Sequence, residues 1–159
     1  MRRARWNRRA ALALLVLGLP APARAQVTTL NGLAFGTVIT GTSTTVAVTS
    51  ASAAQWQIHV TILSALGTFS LALPTQLVRS GGAQTMPVSF CATCGRWRQN
   101  SNAVGGATTF NPASTVSFSS LPAGTNIFVW LGGTVTPPLN QVAGTYLGTV
   151  VLVTTGLTL

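Results

Sequence analysis

Between Gln55 and Ile62 the chain reads Gln-Trp-Gln-Ile-His-Val-Thr-Ile, so that Trp56, Ile58, Val60 and Ile62 alternate with Gln55, Gln57, His59 and Thr61. Successive residues of a strand point to opposite faces, and this pattern predicts a strand with one buried and one wet face. The same period of two returns between turn residues. Residues 33–35 run into Gly36, 44–48 follow Gly41, and 68–73 follow Gly67 and stop at Pro74. Residues 86–90 follow the Ser80-Gly81-Gly82 turn, and 115–118, 126–131 and 145–154 complete the series. Pro87 lacks an N–H, which predicts an edge strand or an N–H position that faces away from a neighbour. No segment shows a helical period. About seven to nine short strands in one domain predict an all-β fold, a β-sandwich of antiparallel strands. The polar stretch 95–107 reads as the longest loop.

The last arm is apolar on both sides. Gly132, Gly133, Pro137, Pro138 and Gly144 are the corners of a return that leads into it. Tyr146, Val150 and Leu152 share one face, while Val151 and Val153 make the other apolar as well. Such a strand is either central between two layers or open to a partner.

Charge changes the picture mainly at the N-terminus. The sequence has 159 residues, nine Arg and no Lys, Asp or Glu. Arg2, Arg3, Arg5, Arg8 and Arg9 precede an apolar run from Ala10 to Leu19, and Ala23-Arg24-Ala25 supplies small residues of the A-x-A kind. Residues 1–25 are therefore expected to be a cleaved signal peptide, with 26–159 as the sandwich domain. Asn7-Arg8-Arg9 also resembles a twin-arginine signal; the general secretory route is the default. The apolar run is about half of the roughly 20 residues needed to span a bilayer, and Gly, Pro or Thr breaks every later one, so no transmembrane segment is expected in 26–159. That region keeps only Arg79, Arg96 and Arg98 as charged side chains, too few for a phosphate-tracking surface, which argues against nucleic acid.

The missing carboxylates remove whole classes of chemistry: paired-acid glycoside hydrolysis, aspartic proteolysis, a complete Ser-His-Asp triad and carboxylate sites for Ca²⁺ or Mg²⁺. A dyad around His59 is what remains, and His59 falls on the polar face of its strand, where a solvent-facing ring is the simpler reading. Cys91-Ala92-Thr93-Cys94 follows a strand with no helix in prospect, so thioredoxin-like redox chemistry lacks the helix N-terminus it needs. In an exported chain the pair reads as a short-loop disulfide, within one chain or between two. With His59 the cysteines supply at most three of the four zinc ligands, so no metal and no cofactor are expected, and no enzyme. Arg96-Trp97-Arg98 is the one aromatic and cationic cluster in a polar loop; it could stack on a sugar, or the Trp could fold back over the sandwich edge.

Two stretches carry a resemblance. Leu33-Ala-Phe-Gly-Thr-Val-Ile-Thr-Gly-Thr42 near the start, and Leu131-Gly-Gly-Thr134 with Gln141-Val-Ala-Gly-Thr-Tyr-Leu-Gly-Thr149 near the end, are similar to the opening and closing signatures of small secreted bacterial domains. Those domains are laid out like the spore coat protein U and fimbrial-subunit-like families of Gram-negative bacteria. The resemblance implies an immunoglobulin-like β-sandwich, exported to the periplasm or cell surface, with a structural or adhesive role. It implies structural parts for Phe35, Gly36, Gly132, Gly133, Gly144, Tyr146 and Gly148. Gly36 would let the chain turn after Phe35, Tyr146 would anchor the last strand, and Gly148 would admit a neighbouring backbone. The function expected is a pilin- or coat-like subunit that meets itself or related surface subunits through strand edges. The alternative is a monomeric module that binds a glycan or envelope polymer through Arg96, Trp97 and Arg98.

Overall fold

The computed structural model describes residues 26–60 and 66–157. The expected signal peptide, Thr61 and Ile62 lie outside the described residues. All regular structure among the described residues is β, and every ladder is antiparallel. Among the described residues no helix is long and apolar enough to cross a membrane.

The strands are β1 (Gln26–Asn31), β2 (Thr44–Val46), β3 (Ala54–His59), β4 (Gly67–Ala72), β5 (Gln76–Arg79), β6 (Thr85–Ser89), β7 (Gly95–Gln99), β8 (Thr108–Phe110), β9 (Val116–Phe118), β10 (Asn126–Leu131), β11 (Gly133–Val135), β12 (Tyr146–Leu147) and β13 (Val151–Thr155). One layer of this all-β sandwich is the sheet β1-β3-β10-β7-β8; the other is built from the sheets β13-β4-β9 and β12-β5-β6-β11-β2. These last two share a bent strand pair. β4 and β5 follow one another on either side of residues 73–75, and β12 and β13 return beside them on either side of residues 148–150.

The thirteen strands exceed the seven to nine expected, because bends and corners split expected strands and polar stretches hide others. The arm 145–154 breaks into β12 and β13, and the corner at Gly132 lets the chain leave β10 in one layer and enter β11 in the other. Gly132 has to be glycine there, since a Cβ would stand 2.5 Å from the Val46 carbonyl oxygen and 2.7 Å from the Val48 nitrogen. Residues 33–35, expected as a strand, form none; Leu33 and Phe35 instead lean on the core from the connection between β1 and β2. Nor is β6 an edge strand, as it lies between β5 and β11. Pro87 is tolerated because the ladder to β11 ends at Val88 opposite Val135; beyond it the Thr136 N–H donates to the Pro87 carbonyl at 3.1 Å.

The alternation in β3 works as its pattern requires. Trp56 and Ile58 turn inward with Ile127, Val129 and Leu131 of β10, and meet Phe69, Leu71, Phe110 and Phe118 in the main core. The Phe69 ring stands edge-on to Phe110 at 5.3 Å. A smaller apolar group, Met86, Val88 and Val135, lines the inner face of β6 and β11, and Phe90 joins the two.

Candidate functional site

The expected loop 95–107 is half strand. Arg96, Trp97 and Arg98 lie in β7, paired with β10 on one side and β8 on the other, so the three are not presented on a loop. Alternation then divides them. Trp97 is half-buried and turns inward, its ring edge-on to Phe118 at 5.1 Å, while Arg96 and Arg98 point to the outer face. Apolar core on one side and water on the other demand this division; the polar residues on either side of β7 hid the strand from the pattern.

The outer face holds a second aromatic pair, Phe128 and Trp130. Trp130 is opposite Arg96 and Gln55 in the ladders, and Phe128 is opposite Arg98 and Gln57. The two rings stack at 6.2 Å, and both are buried although they sit on the solvent side of the sheet. Residues 100–107 cover them: Arg98 donates to the carbonyls of Ala103 and Gly105, and the Gln55 amide bonds Asn102. Beside Trp130 a polar hollow of about 360 Å³ is lined by Asn31, Gln55 and Asn102 among others. His59 belongs to the same face but to an amide network: its Nδ1 meets Asn126 Oδ1 at 2.8 Å, and that oxygen also accepts from Gln57 at 2.8 Å. As that oxygen can only accept, the hydrogen bonds assign the ring proton to Nδ1.

Cys91 and Cys94 are joined within the chain, with Cα atoms 5.0 Å apart. The bridge closes the turn from β6 to β7, where the chain changes layer. Two backbone bonds reinforce it, Cys94 N–H to the Cys91 carbonyl at 3.0 Å and Gly132 N–H to the Cys94 carbonyl at 2.9 Å. Among the described residues no cluster of three or more His, Cys, Asp or Glu side chains could hold a metal.

The two signature stretches converge on one place. Leu33, Phe35 and Gly36 from the first, and Gly144, Tyr146 and Gly148 from the second, line a cleft of about 650 Å³ over the inner face of β5, β6 and β11. Leu77, Met86, Val88, Phe90 and Val135 form its apolar floor. Gly133 stands behind it, where a Cβ would meet Phe90 at 3.1 Å and Leu33 at 3.3 Å. Gly148 makes room for a side chain more than for a backbone, since its Cβ would fall 2.6 Å from Leu77 Cδ2 and 3.6 Å from the Gln76 carbonyl. Gly36 turns the chain with φ of 66°. Tyr146 is fixed by its hydroxyl, which donates to the Val142 carbonyl at 2.7 Å and accepts from Gln141 Nε2. Nε2 also donates to the Thr85 carbonyl at 3.3 Å, which assigns the amide's orientation and leaves Gln141 Oε1 buried with no partner among the described residues. Arg79, opposite Tyr146 in the β5–β12 ladder, shares the face of Tyr146 and Leu77. Its side chain lies over Gly144, where a Cβ would be 2.5 Å from Arg79 Nε. The cleft was missed because period-two reading marks faces of single strands and carries no information on which faces stay under-filled.

Comparisons with protein-family models, with curated protein sequences and with solved structures found no match.

Proposed function

We propose that this chain is an exported structural or adhesive component of the bacterial cell envelope, a pilin- or coat-like subunit that associates with itself or with related surface subunits through strand edges. The observation that carries the reading is the outer face of the β12–β13 edge. Val78 and Leu147 face each other in the ladder and are 49% and 62% exposed; Val151 and Val153 continue the stripe at 49% and 45%. An apolar stripe along an edge strand is what one sheet offers another. At the far edge of the other layer, β1 is held to β3 by its backbone ladder while residues 27–31 are all exposed, so little side-chain packing resists its exchange. Arg79, Arg96 and Arg98 give the domain little charge with which to repel its copies. The leader pattern of residues 1–25 and the Cys91–Cys94 bridge favour export, to the periplasm or the cell surface.

An unboiled, non-reducing gel of envelope fractions from the native host, probed for this chain, tests the reading. A ladder of heat-labile multimers is expected. A single monomer band, with a monomer in solution at high concentration, would sink it.

A second reading, a monomeric glycan- or envelope-polymer-binding module, keeps one favourable observation. Arg96 and Arg98 keep two forked donors on the outer face, next to the polar hollow at Trp130 that Asn31, Gln55 and Asn102 line, while the Phe128 and Trp130 rings beneath are covered and offer no face to a sugar. Trp97, packed on Phe118, no longer contributes to it. Replacement of Arg96 and Arg98 by Gln should then abolish retention on glycan or peptidoglycan columns, and unchanged retention would discard this reading.

A further inference from the structure

We propose that the outer face of β7 and β10 binds an acidic sugar chain, one whose rings carry a carboxylate. Arg96 is the partner of that carboxylate, and the hollow beside Trp130 takes the hydroxyls. The proposal rests on the second reading's choice of face; it depends neither on the strand edges nor on whether the domain is a monomer.

Charge selects the acid. Arg96 is half-buried on the outer face of β7, opposite Trp130 on one side and Thr109 on the other. Its Nε is buried without a partner among the described residues and takes no ligand itself; the two terminal nitrogens are not enclosed in this way and form a free fork. Arg98, two residues along on the same face, has Nη1 committed to the carbonyls of Ala103 and Gly105, so one side of its fork is tied to the covering loop. Neither cation has a counter-ion in the chain, because the sequence contains no Asp or Glu. A partly desolvated guanidinium favours a carboxylate, which accepts two parallel bonds from it. One free fork suits a singly charged carboxylate, whereas a phosphate monoester, with nearly two charges, requires more.

Amides select the sugar. Asn31 commits Nδ2 to the carbonyls of Ala51 and Ala53, both at 2.8 Å, and Gln55 commits Nε2 to Asn102 Oδ1. Asn31 Oδ1, Gln55 Oε1 and Asn102 Nδ2 are then left over, two acceptors and a donor on side chains that line the hollow of about 360 Å³. A sugar hydroxyl both donates and accepts and so satisfies either kind; an alkyl chain satisfies neither. Gln55, Trp130 and Arg96 occupy adjacent ladder positions on neighbouring strands, two strand spacings or about 10 Å in all. A short run of rings spans that distance, with a carboxylate on Arg96 and hydroxyls at the hollow. The covered rings of Phe128 and Trp130 have no part in it.

Isothermal titration of the purified protein with the tetramers of galacturonate and of mannuronate, each beside its methyl ester, tests the proposal. The esters keep every ring and hydroxyl and mask only the charge. At least one acid should bind one to one, and its ester at least about tenfold more weakly, the loss of one charge-assisted bond. Arg96→Gln should bring that acid to the level of its ester and leave the ester unaffected, and its melting temperature will verify the fold. Arg79→Gln, in the other layer, should change neither. Equal affinity for acid and ester would overturn the carboxylate while the second reading stands. No isotherm for either acid would overturn the site, and retention on the glycan columns then decides the second reading by itself. An Arg79→Gln variant weakened as much as Arg96→Gln, or inorganic polyphosphate bound as tightly as the acid, would reduce the effect to net charge and overturn the site as well.

Discussion

Single atoms decide several positions. At Gly132 an added methyl would meet backbone atoms of the β2 connection, which cannot swing aside as a side chain can. Gly132→Ala should cost at least about 1–3 kcal/mol, the range for overpacking, seen as a lower urea midpoint with an unchanged slope. Trp97, placed by the sequence pattern in a polar loop and either open to a sugar or folded back over the sandwich edge, is half-buried in β7 against Phe118. Trp97→Ala should therefore destabilise the fold by about 3 kcal/mol, the low end for truncation of a large aromatic, measured by chemical denaturation. The bridge between Cys91 and Cys94 closes a small loop, and the double change Cys91→Ser with Cys94→Ser should cost about 2 kcal/mol in the same assay. The fold should survive, since the two backbone bonds of that turn remain. Whether the cysteines pair within one chain or between two was not legible in the spacing alone, whereas the importance of Gly132 as a corner was, because a Gly pair after an apolar strand is a turn signal wherever it occurs.

Among elements, β13 and β7 diverge most instructively from their patterns. A strand apolar on both faces could have been central; instead β13 has one ladder neighbour among the described residues, β4, and leaves Val151 and Val153 open. Lysines at edge positions oppose strand addition. Val151→Lys with Val153→Lys should abolish heat-labile multimers on unboiled gels and leave the melting temperature of the domain within a few degrees of its original value. Unaltered multimers would move the interface to another edge, with β1 the next to test. For β7 the reverse holds: Gly95–Gln99 has a single large apolar residue, Trp97, so no alternation is visible, yet the strand lies between two neighbours. Its ladder hydrogen bonds come from the backbone, to which side-chain pattern is blind. β3 and β10 were legible for the opposite reason, since each packs one face on the core over six residues.

Over the whole molecule, the sequence by itself determined the class of fold and the absent chemistries. Period-two alternation with turn residues at short intervals permits strands and little else, and a chain without Asp or Glu has no carboxylate catalysis whatever its shape. Tertiary structure alone decided which strands became edges, how the arm 145–154 bent into two, which face of β7 each of Arg96, Trp97 and Arg98 occupies, and that Phe35, Gly36, Gly144, Tyr146 and Gly148 meet around one cleft. The physical reason is range. Alternation and turn chemistry are properties of neighbours along the chain, set by local backbone geometry. Edges, corners and unfilled volume depend on contacts between segments as distant as residues 35 and 146, which a linear pattern does not encode.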